Sequence, residues 1–400
     1  MKPLYLDHAS TTPCREDVWE EMKQYAIFDY GNADSLHSMG RRARTAVDES
    51  RARIASQLGC KASEIIFTSG GTESDNLALL GVAGRTSQKH IITAKTEHLA
   101  VLRTCQLLEG QGYDVTYLDV DRYGLIDPDD VLAEIRPDTF LVSIAHTNNE
   151  IGTIQQLPEI ARLVKQRRPD IVFHTDAVQA VGHVEIDVET LGVDLLSFTG
   201  QKFYGPKGIG GLYVRKGVDL KPFIGGARKE RELETGTLNV PLIVGMSLAL
   251  ERACSEIADE REYWIPLRDE IIRGLLAIND CNLNGHPARR LPTNVSMCFS
   301  GVSGDDLVLE LDRFGVCAST GSACTTGMVE PSHVLMATGL SRRRALGALR
   351  LSFGHGCRGL KPEVLIEQIG NAVESLRSTS YVTGETYSHS SRMDQVVVMV

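Results

Sequence analysis

No apolar run in the 400-residue chain approaches the roughly 18 residues of a membrane span. Its start, MKPLYLDHASTTP, lacks a charged region followed by an apolar one, so a secretory leader is not read there. These absences predict a soluble, cytoplasmic protein with no membrane partner. Nine cysteines, at 14, 60, 105, 254, 281, 298, 317, 324 and 357, form neither a C-x-x-C pair nor a Cys/His cluster at zinc spacing. Reduced thiols and no metal are the expectation. A basic excess is missing too: 42 Lys plus Arg stand against 52 Asp plus Glu. Direct nucleic-acid binding is therefore not expected. There is no G-x-x-x-x-G-K-[ST], and no G-x-G-x-x-G follows the first strand of the repeating pattern, so P-loop and nicotinamide readings lack support.

The pattern that is present alternates strand and helix. After helices predicted over Arg15–Ile27 and Arg41–Leu58, apolar strands are predicted at Ile65–Thr68, Ile91–Ala94, Val115–Val120, Phe140–Ala145, Ile171–His174 and Leu195–Phe198. Helices are predicted between them at Glu73–Ala83, Leu99–Leu108 and Leu157–Arg167. That order implies an α/β fold, a mostly parallel sheet covered by helices on both faces, with ligands beyond the carboxyl ends of the strands. Long helical stretches from Pro241 to Asn279 lead into a smaller α+β unit. Its predicted parts are Asn294–Phe299, Asp305–Phe314, Cys317–Ser319, Leu349–Phe353 and Pro362–Leu376, and a tail follows Ser378.

The strand exits carry a coherent set of polar residues. Lys202 leaves the strand Leu195–Phe198 among Phe203, Tyr204, Pro206 and five glycines of the segment 195–211. Desolvation there lowers an amine's pKa and makes it a nucleophile toward carbonyls. Gly70-Gly71-Thr72 opens a helix whose N–H groups can hold a phosphate. His98, Asn148-Asn149-Glu150 and Asp176-Ala177-Val178-Gln179 follow three further strands. Asp176, on an apolar strand, is costly to bury without a cationic or strong donor partner, which a pyridinium nitrogen supplies. A lysine for a Schiff base, an aspartate for a pyridinium, a phosphate cradle and a flat-faced histidine together describe a pyridoxal phosphate site. Farther along, Cys324 stands in Gly321-Ser322-Ala323-Cys324-Thr325-Thr326-Gly327, too thinly flanked to be a core residue and suited to a travelling nucleophile. Cys317, beside a strand, is expected in the core. Arg350 could hold a substrate carboxylate or a structural ion pair.

The chain resembles the cysteine desulfurase family of class V, fold-type I pyridoxal phosphate enzymes, from Tyr5-Leu6-Asp7-His8-Ala9-Ser10-Thr11-Thr12 to about residue 378. The specific matches are Thr68 to Ser74, Thr96-Glu97-His98, Asn148 to Gly152, His174 to Gln179, Lys202 with Tyr204 to Gly208, Gly236-Thr237, and Gly321 to Cys324. The resemblance implies that Lys202 carries pyridoxal 5'-phosphate as a Schiff base, Asp176 pairs with its ring nitrogen, Gln179 meets its phenolic oxygen and His98 stacks on it and exchanges protons. Gly71, Thr72, Thr199 and Gln201 would surround the phosphate, with Thr237 reaching in from the second subunit of a homodimer. Asn149 and Arg350 would hold the substrate carboxylate. Cys324 would take the sulfur of L-cysteine as a persulfide for sulfur-acceptor proteins, releasing alanine. Iron–sulfur assembly, tRNA thiolation and DNA phosphorothioation are the uses open to that sulfur. The implied organisation is residues 1–14 joining the small domain, 15–255 holding the cofactor, 256–378 carrying the cysteine loop and 379–400 as a tail. Gln201 and Glu234 stand where the family commonly has histidine and arginine, and Ala33-Asp34 replaces Pro-Ser. Selenocysteine lyase activity and a non-catalytic scaffold are the alternative readings.

Overall fold

The computed structural model describes residues 3–225, 233, 236–321 and 330–383. Cys324 and Glu234 lie outside the described residues.

Strand β1 (Leu4–Tyr5) is followed by the strands of a seven-stranded sheet: β2 (Ile65–Thr68), β3 (His90–Ala94), β4 (Asp114–Leu118), β5 (Thr139–Ser143), β6 (Val172–Asp176), β7 (Leu195–Thr199) and β8 (Gly210–Val214). Their order is β2-β8-β7-β6-β5-β3-β4. Neighbours from β7 to β4 are parallel, whereas β8 runs antiparallel to both β2 and β7. The sheet is thus mostly parallel, as the alternation implied. The reversal at β8 follows from chain length, because the short link from Thr199 to Gly210 cannot carry a crossover helix. β3, β5 and β7 are buried throughout, which explains why they read as apolar runs and not as alternating ones.

β8 was hidden in the sequence by its glycines, and packing shows why they are there. A Cβ on Gly211 would lie 2.2 Å from Phe198 Cζ, and one on Gly210 would lie 2.7 Å from the Gly70 Cα. The second contact brings β8 against the turn that opens the helix Gly71–Ala83.

One helix, Val240–Leu276, replaces the several stretches expected after Pro241; Asn239 caps it by accepting the Leu242 N–H. Its first half buries Ile243, Met246 and Leu250 in the core of the large sheet. Its second half buries Trp264, Ile271 and Leu275 in another core with Leu6, Phe299 and Phe353. That second core includes the sheet β12-β10-β9, formed by β9 (Cys281–Leu283), β10 (Asn294–Phe299) and β12 (Ala348–Ser352). β11 (Val316–Cys317) pairs in parallel with β1, so the chain's start is tied to its later part.

Several predicted details change. The first helix is Glu16–Lys23 and continues as a π turn to Phe28, while the last runs to Thr383, beyond Leu376. Short helices at Pro128–Ala133 and Val188–Leu191 were missed; each is capped by an aspartate. Cys317 is half-buried and its Sγ faces Asp312, so it is not a core residue. No described helix is long and apolar enough to cross a membrane.

Candidate active site

β7 delivers Thr199, and a tight turn over Gly200–Lys202 then sets the lysine at the sheet's carboxyl edge. Lys202 Nζ donates to the carbonyls of Ala9 at 2.7 Å and Ser10 at 2.6 Å. Burial and, next, the field of Arg350 bring its pKa from 10.5 down to about 8. Two residues on, Tyr204 adopts a left-handed backbone at φ 64°. Such a conformation persists only where the surroundings hold it. Here the ring stacks on His355 at 4.1 Å and the Tyr204 N–H donates to Thr12 Oγ1 at 2.8 Å. The His183 ring nitrogen Nε2 is 2.9 Å from the Lys202 carbonyl, so it donates there and fixes the backbone from behind.

Asp176, the last residue of β6, is buried and accepts the Val178 N–H at 2.9 Å. Burial raises its pKa, opposed most by His98. Beneath it lies Asp75, from the helix Gly71–Ala83, only 1% exposed. Donor-set atoms of Asp75, His98 and Asp176 lie within 4.8 Å of one another. Desolvation and then the charge of Asp176 push the Asp75 carboxyl well above the usual carboxylate range. His174, held down to about 3 by burial, stays neutral between the hydroxyls of Ser143 at 2.8 Å and Ser197 at 3.1 Å. His98 caps the helix Leu99–Glu109 by accepting the Ala100 N–H through Nδ1, and the residue is exposed.

At the exit of β2, Gly70 has φ 156°, a region that in practice requires glycine. A Cβ on Gly71 would lie 2.7 Å from Val178 Cγ2, so this turn sits directly against the segment that follows Asp176. The helix begins there, leaving its first N–H groups without intrahelical acceptors. Thr72 is exposed beside them. Thr199 is buried and its hydroxyl donates to the Ile209 carbonyl at 2.9 Å, leaving it acceptor capacity only.

Arg350, on β12, is 3% exposed. Nη1 donates to the Asn149 carbonyl at 3.0 Å, and Nη2 donates to Asp7 Oδ1 at 2.7 Å and Ser10 Oγ at 2.8 Å. Gln179 Nε2 donates to the Ala9 carbonyl at 2.9 Å, the same oxygen that Lys202 reaches. The turn Asp7 to Thr12 therefore bridges the lysine, the arginine and Gln179. The Gln201 carbonyl accepts from both the N–H and the hydroxyl of Thr12.

These contacts bring together Lys202, Gln179, Asn149 and Arg350 on one side, and Asp176 with His98 on another. Thr237 is exposed, and no hydrogen bond or ion pair among the described residues ties it to this group. Sequence reasoning gave no role to Asp75, Asp7 or Ser10. Asp75 sits among Thr72, Glu73, Ser74 and Asn76 in a polar first turn, so no sequence signal set it apart.

A family model for Aminotransferase class-V matches residues 4–357. A cysteine desulfurase IscS of Methanosarcina thermophila is 47% identical over 388 residues, covering 96% of each chain. The chain belongs to the cysteine desulfurases of the class-V aminotransferase family. Solved members superpose closely: a NifS-like protein at TM-score 0.85 and 35% identity, covering 95% of this chain and all of its own, and SspA in complex with cysteine at TM-score 0.77 and 37% identity, covering 88% and 98%.

Cysteine desulfurases of this class depend on pyridoxal 5'-phosphate, and the donor set here fits that group. The buried Asp176 carboxylate has an N–H on one oxygen and calls for a further donor, which a pyridinium N–H provides. The Gly70-Gly71 turn opens a helix whose first N–H groups, without intrahelical acceptors, can receive an anion. Lys202 supplies an amine of lowered basicity.

Proposed function

We propose that the protein removes sulfur from L-cysteine, releasing L-alanine and leaving a persulfide on Cys324. The observation that carries this reading is Lys202, whose amine is brought down to about 8 at the carboxyl edge of the sheet that carries Asp176, with Arg350 of β12 meeting it through Ser10. When bound, pyridoxal phosphate supplies an electron-withdrawing ring that drains charge from the substrate carbon as its bond to sulfur breaks. Asp176 would pair with the ring nitrogen, with Asp75 and His98 close beside it. Gly71, Thr72 and Gln201 would receive the phosphate, joined by Thr199 when its hydroxyl turns from the Ile209 carbonyl to donate to it, and Gln179 the phenolic oxygen. Arg350 and Asn149 orient the substrate carboxylate. Lys202 Nζ and His98 Nε2 move protons. The Cys324 thiolate attacks the substrate sulfur; the carbon–sulfur electron pair passes to the β-carbon, which takes up a proton.

The working unit in this reading is a homodimer to which a second copy contributes Thr237. Trp19, Ile27, Phe28, Tyr30 and Leu36 are 54–90% exposed within one short stretch, an apolar surface that a second copy would cover. Residues 15–255 form the cofactor unit and 256–378 the second, meeting within the helix Val240–Leu276. The sulfur passes to acceptor proteins in the cytoplasm.

Replacing Cys324 with serine tests the reading. The variant should keep the visible absorbance of the bound cofactor and lose both persulfide and alanine formation. Undiminished alanine release would overturn it.

A further inference from the structure

Arg350 is the most confined cation of the site, and its partners in the resting protein are unusual for a residue that must receive a substrate. Its backbone is fixed on both sides: Ser296 pairs with it across β10, and Ser319 exchanges both backbone hydrogen bonds with it, at 2.6 and 3.2 Å. The guanidinium has no room to leave. One arm is spent on the Asn149 carbonyl, the other on Asp7 and Ser10, and Nε is buried without a hydrogen-bond partner among the described residues. Ser10 Oγ also donates to Asp7 Oδ1 at 2.9 Å, which aligns that carboxylate on the arginine. Asp7 differs from Arg350 in its freedom. Its side chain is 21% exposed against 4% for Arg350, so its carboxylate can turn to water while its backbone stays bridged to Ser352.

We propose that Asp7 is an internal competitor for the substrate carboxylate: it occupies Arg350 at rest and is displaced when an α-amino carboxylate enters. The inference rests on the reading of Arg350 as the carboxylate-binding residue. Its physical logic is that a buried guanidinium without an anion is strongly unfavourable, so the empty site needs a carboxylate of its own. The resident ion pair sets a threshold for entry. A ligand with a carboxylate alone must break the Asp7–Arg350 contact for an equivalent one. A ligand that also brings an ammonium within reach of the Ala9 and Ser10 carbonyls of Asp7's own turn, the acceptors on which Lys202 rests, gains a second interaction for the same displacement. Asp7 thereby selects amino acids over simple carboxylates, and it does so without contact with the reacting atoms.

The test compares wild type with Asp7→Asn, Asp7→Ser and Arg350→Lys in the full chain. Calorimetric titration with L-alanine and with propionate is done on cofactor-free and cofactor-loaded protein, and KM and kcat for L-cysteine are measured beside it. Asn keeps the shape of Asp7 and removes its charge. Exchange predicts that Asp7→Asn binds both carboxylates more tightly, by about tenfold from the loss of one charge-assisted contact, with propionate gaining more than L-alanine. KM should fall and kcat change little. If Asp7 only props Arg350 in place, both Asp7 variants weaken carboxylate binding and raise KM, which overturns the proposal. Asp7→Ser repeats the comparison should the Asn variant fold poorly. Arg350→Lys isolates the premise: unchanged L-alanine affinity there would remove the role of Arg350, whereas weakened affinity there with no tightening in Asp7→Asn would refute exchange alone.

Discussion

Glu97 offers the sharpest energetic prediction, because it is a carboxyl confined where water cannot reach it. It is 1% exposed, accepts the Ala145 N–H at 2.8 Å through Oε1, and has no hydrogen-bond partner on Oε2 among the described residues. Burial raises its pKa from 4.5 to about 8. Below about pH 4.5 the folded and unfolded chains both hold this proton, and the carboxyl adds no pH-dependent cost. As pH rises toward 8, only the unfolded chain releases it, so folding loses about 1.4 kcal/mol for each pH unit. At pH 7 the accumulated loss is about 3 kcal/mol. A glutamine in its place would accept from the Ala145 N–H as before, put an amide donor on the unpaired side, and never titrate. Denaturant unfolding of cofactor-free Glu97→Gln should therefore match wild type near pH 4.5 and show a gain of about 3 kcal/mol at pH 7. Parallel profiles for the two proteins would refute the reasoning. A loss of stability confined to neutral pH would mean that the folded protein holds Glu97 ionised and paired.

Three further expectations follow from the same contacts. Gly211→Ala places a Cβ 2.2 Å from the Phe198 ring and should destabilise the protein by about 1–3 kcal/mol in thermal or denaturant unfolding, with β7 and Lys202 disturbed and cofactor retention reduced. Capture of pyridoxal phosphate by cofactor-free protein, followed by absorbance, should gain rate as pH rises and level off near the Lys202 pKa of about 8. Arg350→Gln removes a field that lowers that pKa, and its inflection should move to higher pH. Burial holds His146 down to about 4, so the unfolded chain alone takes up a proton as pH falls below 6.5. His146→Gln should flatten this acid loss, which amounts to at most about 1.4 kcal/mol per pH unit.

Much of the frame was legible because fully buried parallel strands leave apolar runs that few other elements mimic. The strand Ile65–Thr68, the helix Leu157–Arg167 and the strand Asn294–Phe299 fall where periodicity put them. β8 was not legible, since Gly210 and Gly211 answer to Gly70 and Phe198 across the sheet and give no local strand signal. The long helix was readable as helical but not as one piece, because Pro266 inside it reads as a break. At the site, Lys202, Asp176 and Arg350 stood out as charges on or beside apolar strands. Asp75 and Asp7 did not, because a single carboxylate in a helix or a turn reads as solvated until the tertiary structure places it against Asp176 or Arg350. Cys317 illustrates the converse: adjacency to a strand suggested burial, but β11 is only two residues long and leaves its thiol beside Asp312.

The central claim is a transfer of sulfur from L-cysteine to one thiol, and locating that sulfur tests it most directly. The cofactor-loaded protein is given a single equivalent of radiosulfur-labelled L-cysteine, its thiols are trapped by alkylation, and the peptides are separated and weighed. The account predicts one added sulfur on the peptide that contains Cys324, in step with alanine release. Label on Cys14, Cys60 or any other cysteine in place of Cys324, or alanine formed with no protein-bound sulfur, would contradict it.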